Sequence, residues 1–231
     1  MDITTASESR KYDGTPLTNP EATVNGLAAD ETIDVIPNGT VTYVGTEKNT
    51  YTIDWGETNP ANYSITEYLG TLEVTPNDTP IRFTAGSGKK VYDGSALTNG
   101  NVTVTGLPDI FRYRAVTSGS QAKVGSSKNA VTSWQIYDSE GVNVTACFSN
   151  ITVYEGTLTV EPLELAFDLS GASVNAYGDL QIPNPSITYM NGAHAGETVY
   201  GMRTRSLTAG YHFTLFTGDT VRLTVDRKSV V

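Results

Sequence analysis

Residues 12–19 read YDGTPLTN, and residues 92–99 read YDGSALTN, 80 positions later. The same spacing relates further pairs: GL at 26–27 and 106–107, VG at 44–45 and 124–125, and KN at 48–49 and 128–129. Both copies also end alike, with GTLEVTP at 70–76 and GTLTVEP at 156–162, which lie 86 positions apart. Self-similarity at a fixed period indicates tandem structural units.

The change from 80 to 86 means that the second copy has gained six residues. We place this insertion around residues 138–141, which read DSEG, because a turn-rich hairpin tip tolerates added residues. A third, shorter and divergent unit follows, with YGD at 177–179 and a closing stretch, GDTVRLTV, at 218–225. The predicted modules are therefore residues 1–76, 77–162 and 163–231. Proline-containing junctions at 76–80 and near 162 predict an extended array with little contact between modules.

Within each unit, apolar and polar residues alternate with a period of two, which is typical of half-buried strands. In the stretch 51–55, the sequence YTIDW places Tyr51, Ile53 and Trp55 on one face and Thr52 and Asp54 on the other. Asn-Gly pairs at 25–26, 38–39, 99–100 and 191–192 predict tight turns. No stretch has a convincing helical period. The sequence predicts an all-β fold of small β-sandwich (Ig-like) or β-grasp-like modules.

The formal net charge is −10, and almost all of it belongs to the first module. Residues 1–76 contain 12 acidic and 3 basic side chains, residues 77–162 contain 7 and 7, and residues 163–231 contain 6 and 5. Because no basic surface for phosphate backbones is indicated, we expect no nucleic-acid partner.

The single cysteine, Cys147, cannot form a disulfide within the chain, and its apolar neighbours favour a buried position. No run of about 18 apolar residues exists, so we expect no membrane insertion. The first residues lack a signal peptide, which taken literally indicates the cytoplasm. The repeats favour another interpretation, in which the chain is a monomeric fragment of a longer protein behind an initiator Met.

The first two units resemble the YDG-type repeat domains of bacterial surface proteins over residues 8–162. The matching residues are the YDG opening at 12–14, the VG…N stretch at 44–49, NYSI at 62–65 and GTLEV at 70–74. The second copy departs from this pattern at 147–151, where CFSNI replaces the Asn-Tyr motif. The third unit is similar, more weakly, to the MBG-type repeat, through YGD at 177–179 and Pro183. The resemblance implies an extracellular cell-surface or cell-wall protein in which such modules form a stalk, with no enzymatic activity.

We interpret the YDG motif as structural. Asp can accept a hydrogen bond from the backbone two residues later, and Gly can adopt a turn conformation. The Tyr is expected to pack its ring and to tether its hydroxyl.

Four alternatives at other positions are weaker. The stretch 138–143, DSEGVN, resembles a calcium loop but lacks a closing acidic residue, so a hairpin tip is favoured. An isopeptide bond would join Lys11 or Lys90 to Asn62, but the two copies disagree in alignment. Trp55, Trp134 and the tyrosines suggest a sugar-stacking platform, although inward-facing strand positions explain most of them. His194 and His212 have no companion ligand that would indicate zinc.

The sequence thus predicts a non-enzymatic stalk region of an extracellular bacterial surface protein, an adhesin-like spacer. The alternative is a binding module for a host or cell-wall glycan or protein. We assign no catalytic, cofactor-binding or metal-binding residues and expect no cofactor.

Overall fold

The computed structural model describes residues 1–176, 180–204 and 210–224. In these ranges nearly all regular structure is β-strand, and the helical segments are two short 3₁₀ turns, Pro60–Asn62 and Thr145–Cys147. The predicted all-β fold of small sheets is confirmed. No helix in the described ranges is long and apolar enough to cross a bilayer.

The strands of the first repeat are short, as the closely spaced turn residues predict. They are β1 (Asp2–Thr5), β2 (Glu8–Lys11), β3 (Ala22–Asn25), β4 (Asp34–Pro37), β5 (Gly45–Lys48), β6 (Tyr51–Asp54), β7 (Thr66–Tyr68) and β8 (Thr71–Thr75). The strands of the second repeat are β9 (Ile81–Ala85), β10 (Gly88–Val91), β11 (Val102–Thr105), β12 (Arg112–Ser118), β13 (Gly125–Tyr137), β14 (Ile151–Tyr154) and β15 (Gly156–Glu161).

The first repeat divides its opening segment between two sheets. Strand β1 lies in the sheet β3-β1-β7, and β2 lies in the sheet β2-β8-β5. Strand β2 runs parallel to β8, the last strand of the repeat, with Glu8 opposite Leu72 and Lys11 opposite Thr75. Strands β4 and β6 form a separate antiparallel pair. The second strand of the repeat and its last strand are therefore parallel neighbours.

The second repeat reproduces the three-stranded sheet and the parallel pair, but its long strand β13 also pairs with β12, so that its second sheet has four strands. Its sheets have the orders β11-β9-β14 and β10-β15-β13-β12. Strand β10 runs parallel to the closing strand β15, with Gly88 opposite Leu158 and Val91 opposite Glu161. These pairs lie at the positions that the sequence alignment of the repeats predicts.

Equivalent apolar residues fill the interiors of the two repeats. The side chains of Leu72 and Val74 on β8 are buried, as are those of Leu158 and Val160 on β15. Alternation along each closing strand explains this, because every second side chain points to the same face of a sheet. The predicted inward face of β6, with Tyr51 and Ile53 more buried than Thr52 and Asp54, is also confirmed.

The third unit has its own small sheets and its own core. Its strands are β16 (Leu165–Asp168), β17 (Ser173–Val174), β18 (Leu180–Gln181), β19 (Ser186–Tyr189), β20 (Thr198–Tyr200), β21 (Met202–Thr204), β22 (Gly210–Thr214) and β23 (Thr220–Thr224). The sheet orders are β16-β19-β20, β17-β18 and β21-β22-β23. The buried core includes Ile187, Tyr189, Tyr211 and Phe213. The YGD motif at 177–179 and Val225 lie outside the described residues.

The described chain forms two compact units, and both contain part of the second repeat. One unit comprises Met1–Phe83, Val104–Ala115 and Ser133–Val153, and the other comprises Thr84–Thr103, Val116–Thr132 and Tyr154–Val231. The module boundaries given above, at residues 76 and 162, stay a prediction.

Candidate functional site

The YDG motif forms the same turn in both repeats. The carboxylate oxygen Oδ1 of Asp13 accepts hydrogen bonds from the backbone nitrogen (2.9 Å) and hydroxyl (2.8 Å) of Thr15. Asp93 accepts the equivalent bonds from Ser95 at 2.9 and 2.8 Å. The glycine between them has a left-handed φ, 84° at Gly14 and 83° at Gly94, which other residues rarely adopt. The structural role predicted for Asp and Gly is confirmed.

A basic side chain from the preceding strand closes this turn. The Lys90 amine lies 2.6 Å from Asp93 Oδ1 and 2.7 Å from the carbonyl oxygen of Ser95. Its hydrogen bond, followed by those from Ser95, lowers the pKa of Asp93 to about 2. Arg10 occupies the equivalent position in the first repeat, 3.3 Å from Asp13.

These contacts bear on the suggested isopeptide bond. Lys90 donates all three of its observed hydrogen bonds within its own turn, to Asp93 and Ser95. The Lys11 amine forms an ion pair with Asp78, at 2.6 Å. Neither contact involves Asn62, which lies in a 3₁₀ turn. The geometry therefore favours ionic roles for both lysines.

The motif tyrosine of the first repeat packs against residues of the second. Tyr12 is 1% exposed, and its ring lies 5.7 Å from Phe111 and 5.7 Å, edge to face, from Phe148. The sequence predicted little contact between modules, and this contact joins residues of the first two repeats. The Tyr12 hydroxyl is buried and has no hydrogen-bond partner among the described residues. The predicted hydroxyl tether is therefore wrong for this tyrosine. Burial raises the pKa of Tyr12 above its usual value.

The second copy of the motif also contacts the unit that follows it. A hydrogen bond joins the Tyr92 side chain to Asp219, and this carboxylate raises the tyrosine's pKa. A Cβ atom added to Gly94 would lie 2.6 Å from the carbonyl oxygen of Thr217. In both copies, therefore, the YDG turn packs against residues that follow its own repeat.

A buried asparagine links three segments inside each repeat. Nδ2 of Asn49 donates to the carbonyl oxygens of Ala6 (3.0 Å) and Asn19 (2.9 Å). Asn129 is fully buried and repeats both bonds, to Gly86 and Asn99, at 2.8 Å each. Both asparagines belong to the KN pairs at 48–49 and 128–129, to which the sequence alone assigns no role. Their spacing of 80 residues was the available signal.

The backbone approaches each of these asparagines closely at a glycine. A Cβ atom on Gly39 would lie 2.6 Å from both Asn49 Cα and the carbonyl oxygen of Lys48. On Gly119 it would lie 2.8 Å from Asn129 Cα. Gly39 belongs to one of the Asn-Gly pairs predicted to be tight turns, yet its φ is not left-handed, unlike those of Gly26 and Gly192. Position 39 therefore requires glycine because there is no room for a Cβ atom, and not because of its φ.

Residues 138–143 form a hairpin tip, as predicted, with an antiparallel bridge between Tyr137 and Asn143 at its base. Asp138 Oδ1 accepts hydrogen bonds from the backbone nitrogens of Glu140 (3.0 Å) and Val142 (2.8 Å). The Tyr43 hydroxyl donates to its other oxygen over 3.2 Å. Among the described residues no three His, Cys, Asp or Glu side chains cluster closely enough to hold a metal ion.

The same tip forms one wall of a cleft of about 480 Å³. The other lining residues come from the ends of β12 and β13: Arg112, Tyr113, Arg114 and Tyr137. The guanidinium of Arg114 lies over the Tyr137 ring, 5.8 Å from its centroid. Both arginines are exposed, and neither takes part in an ion pair with another described residue. Sequence reasoning missed this pair of arginines.

The suggested aromatic platform does not assemble around the two tryptophans. Trp55 stacks on Tyr63 at 6.2 Å, and Trp134 packs on Phe83 at 6.2 Å, so both indoles are half-buried in the fold. The two histidines have different surroundings. His194 stacks on Phe216 at 4.3 Å and lies 3.0 Å from Glu197, while His212 belongs to strand β22. Cys147 is buried, as predicted.

Compared with models of known protein families and with curated proteins, the chain matches none.

Proposed function

We propose that this chain is a non-enzymatic, load-bearing spacer of an extracellular bacterial surface protein. The proposal rests on one observation: in each repeat the second strand runs parallel to the last strand and pairs with it. These pairs are β2 with β8 and β10 with β15. The placement of the chain outside the cell rests on the resemblance of residues 8–162 to YDG-type repeats.

Two parallel strands near the ends of a repeat resist a pulling force by shear. When the two ends of a repeat are pulled apart, β2 and β8 slide along each other, and all the bonds of their ladder are loaded together. The ladder continues into the YDG turn, where the Tyr12 nitrogen donates to Thr75 and the Tyr92 nitrogen donates to Glu161, both at 2.9 Å. An antiparallel pair pulled from one end instead loses its bonds one at a time.

The recurring residues support the same proposal. Asp13 and Asp93 are bonded within their turns, and Asn49 and Asn129 are bonded within their repeats. Their recurrence is explained by folding, because each side chain satisfies backbone groups that would otherwise be unpaired. A repeated ligand site is not needed to explain it.

Single-molecule force spectroscopy tests the proposal. The chain is pulled through handles at its two ends, and unfolding of the first repeat releases about 260 Å of chain, at roughly 3.5 Å per residue. The control places the handles at Asn38 and Thr50, which flank the end of the β4–β6 pair, so that the load peels these strands apart. We expect the end-to-end geometry to require the higher force at equal loading rate. An equal or lower force would reject the load-bearing role.

The second candidate function is a binding module for a host or cell-wall glycan or protein. One observation favours it, the arginine-lined cleft of the second repeat.

A further inference from the structure

We propose that the cleft lined by Arg112, Arg114, Tyr137 and the tip 138–141 binds an acidic saccharide, with the two guanidinium groups on its carboxylate or sulfate oxygens. This inference names the ligand class for the second candidate function. It does not depend on the load-bearing role, which force measurements test separately.

The cleft is what distinguishes the second repeat from the first. The residues aligned with Arg112 and Arg114, 80 positions earlier, are Thr32 and Asp34. The wall formed by the hairpin tip lies where the repeat spacing places the six added residues of the second repeat. The two features that build the cleft thus occur together on one copy of a shared frame. Neither is required by that frame, because the first repeat forms the equivalent parallel strand pair and the equivalent three-stranded sheet without them.

Both arginines are placed to receive an anion. Residues 112 and 114 are two apart on strand β12, so their side chains leave the same face of the sheet. The ring of Tyr137 supports Arg114, and this cation–π contact restricts the guanidinium before a ligand arrives. Guanidinium groups match carboxylate and sulfate oxygens with paired N–H donors. Five other basic side chains of the described residues are used in ion pairs, namely Arg10, Lys11, Lys89, Lys90 and Lys128.

The acidic residues of the cleft favour a sugar with one negative charge over a peptide with a run of acidic residues. The Asp138 carboxylate is used by the turn and by Tyr43, which leaves Glu140 as the exposed carboxylate of the tip. A run of acidic residues in a peptide would be repelled by Glu140. A sugar acid brings a single oxyanion to the arginines together with hydroxyl groups that can donate to Glu140.

The residue between the two arginines holds their strand in place. Tyr113 is 42% exposed, and its ring is held edge to face by the buried Phe83 at 5.9 Å. Its side chain therefore leaves the face of β12 opposite to Arg112 and Arg114 and anchors their strand to the core. The cleft thus presents two anion-binding cations, one of them resting on the Tyr137 ring, and one hydrogen-bond acceptor.

Titration calorimetry of the whole chain tests this inference with sialyllactose, singly sulfated lactose, neutral lactose and a short polyglutamate peptide. The first two probes separate a carboxylate from a sulfate source. The test variant is Arg112→Gln/Arg114→Gln. The matched control is Arg82→Gln/Lys123→Gln, which removes the same charge from exposed positions outside the cleft. Urea unfolding of both variants establishes that they fold.

We expect one or both acidic saccharides to bind, lactose to bind at least tenfold more weakly, and high salt to weaken binding by screening. The cleft variant should lose at least tenfold in affinity, and the control should retain wild-type affinity. Equal affinity of the cleft variant and the wild type would overturn the inference. So would a lack of binding to every saccharide, or preferential binding of the peptide, which would indicate a protein partner.

Discussion

The rings of Tyr12 and Phe148 meet edge to face with their centroids 5.7 Å apart, although one residue belongs to the first repeat and the other to the second. Tyr12 is buried by this contact and by Phe111. A motif that recurs because it shapes a turn therefore also joins successive repeats. This packing explains why position 12 holds an aromatic residue, even though the hydroxyl of the tyrosine has no partner.

Replacing Tyr12 should separate the role of the ring from that of the hydroxyl. Tyr12→Ala removes a buried ring and should lower the free energy of unfolding by about 3–5 kcal/mol. Tyr12→Phe removes a buried hydroxyl that has no partner, so it should be neutral or stabilising by about 1 kcal/mol. Urea unfolding measures both. A large destabilisation by Tyr12→Phe would show that the hydroxyl has a partner.

Stability should fall in alkali. In the unfolded chain tyrosine ionises near pH 10. Burial raises the pKa of Tyr12 in the folded state, and burial with the hydrogen bond to Glu67 raises the pKa of Tyr51 to about 12. The folded state thus keeps protons that the unfolded state loses, so stability is full below pH 10 and declines as the pH rises further.

The Tyr12 contribution to this decline can be isolated. Tyr12→Phe should reduce the slope of unfolding free energy against pH above pH 10 by up to about 1.4 kcal/mol per pH unit. The measurement is urea unfolding between pH 9 and 12 for both proteins. Identical slopes would contradict the burial of this phenol.

A methyl group at Gly39 should be poorly tolerated. It would lie 2.6 Å from backbone atoms of Lys48 and Asn49, so Gly39→Ala should destabilise the chain by about 1–3 kcal/mol. The matched control is Gly100→Ala, where a Cβ atom meets nothing within 4 Å and φ is not left-handed. Thermal unfolding should leave the control close to wild type. Equal effects of the two substitutions would reject the close approach.

Removing a buried asparagine should cost more than removing an exposed one. Asn129→Ala leaves the carbonyl oxygens of Gly86 and Asn99 without their donor, and it should lower the unfolding free energy by about 2–4 kcal/mol. Asn101→Ala, at an exposed position, is the control and should change it by less than about 0.5 kcal/mol. Chemical denaturation distinguishes the two.

Local chemistry made much of the fold predictable. Alternation along the closing strands predicted which side chains are buried, because strand geometry fixes which face each residue occupies. The Asp13 turn followed from a bond that spans two residues. The pairing of Tyr12 with Phe148 did not follow, since it depends on how strands distant in sequence are arranged. The arginines at 112 and 114 are visible in the sequence, but the cleft appears only when the hairpin tip is placed beside them.

Hydrogen exchange of the asparagine side-chain amides, measured by NMR, tests most directly the claim that recurring residues serve the fold. The Nδ2 protons of Asn49 and Asn129 should exchange as slowly as core backbone amides, because both are buried and bonded to two carbonyl oxygens. Exchange as fast as that of the exposed Asn101 side chain would contradict the account.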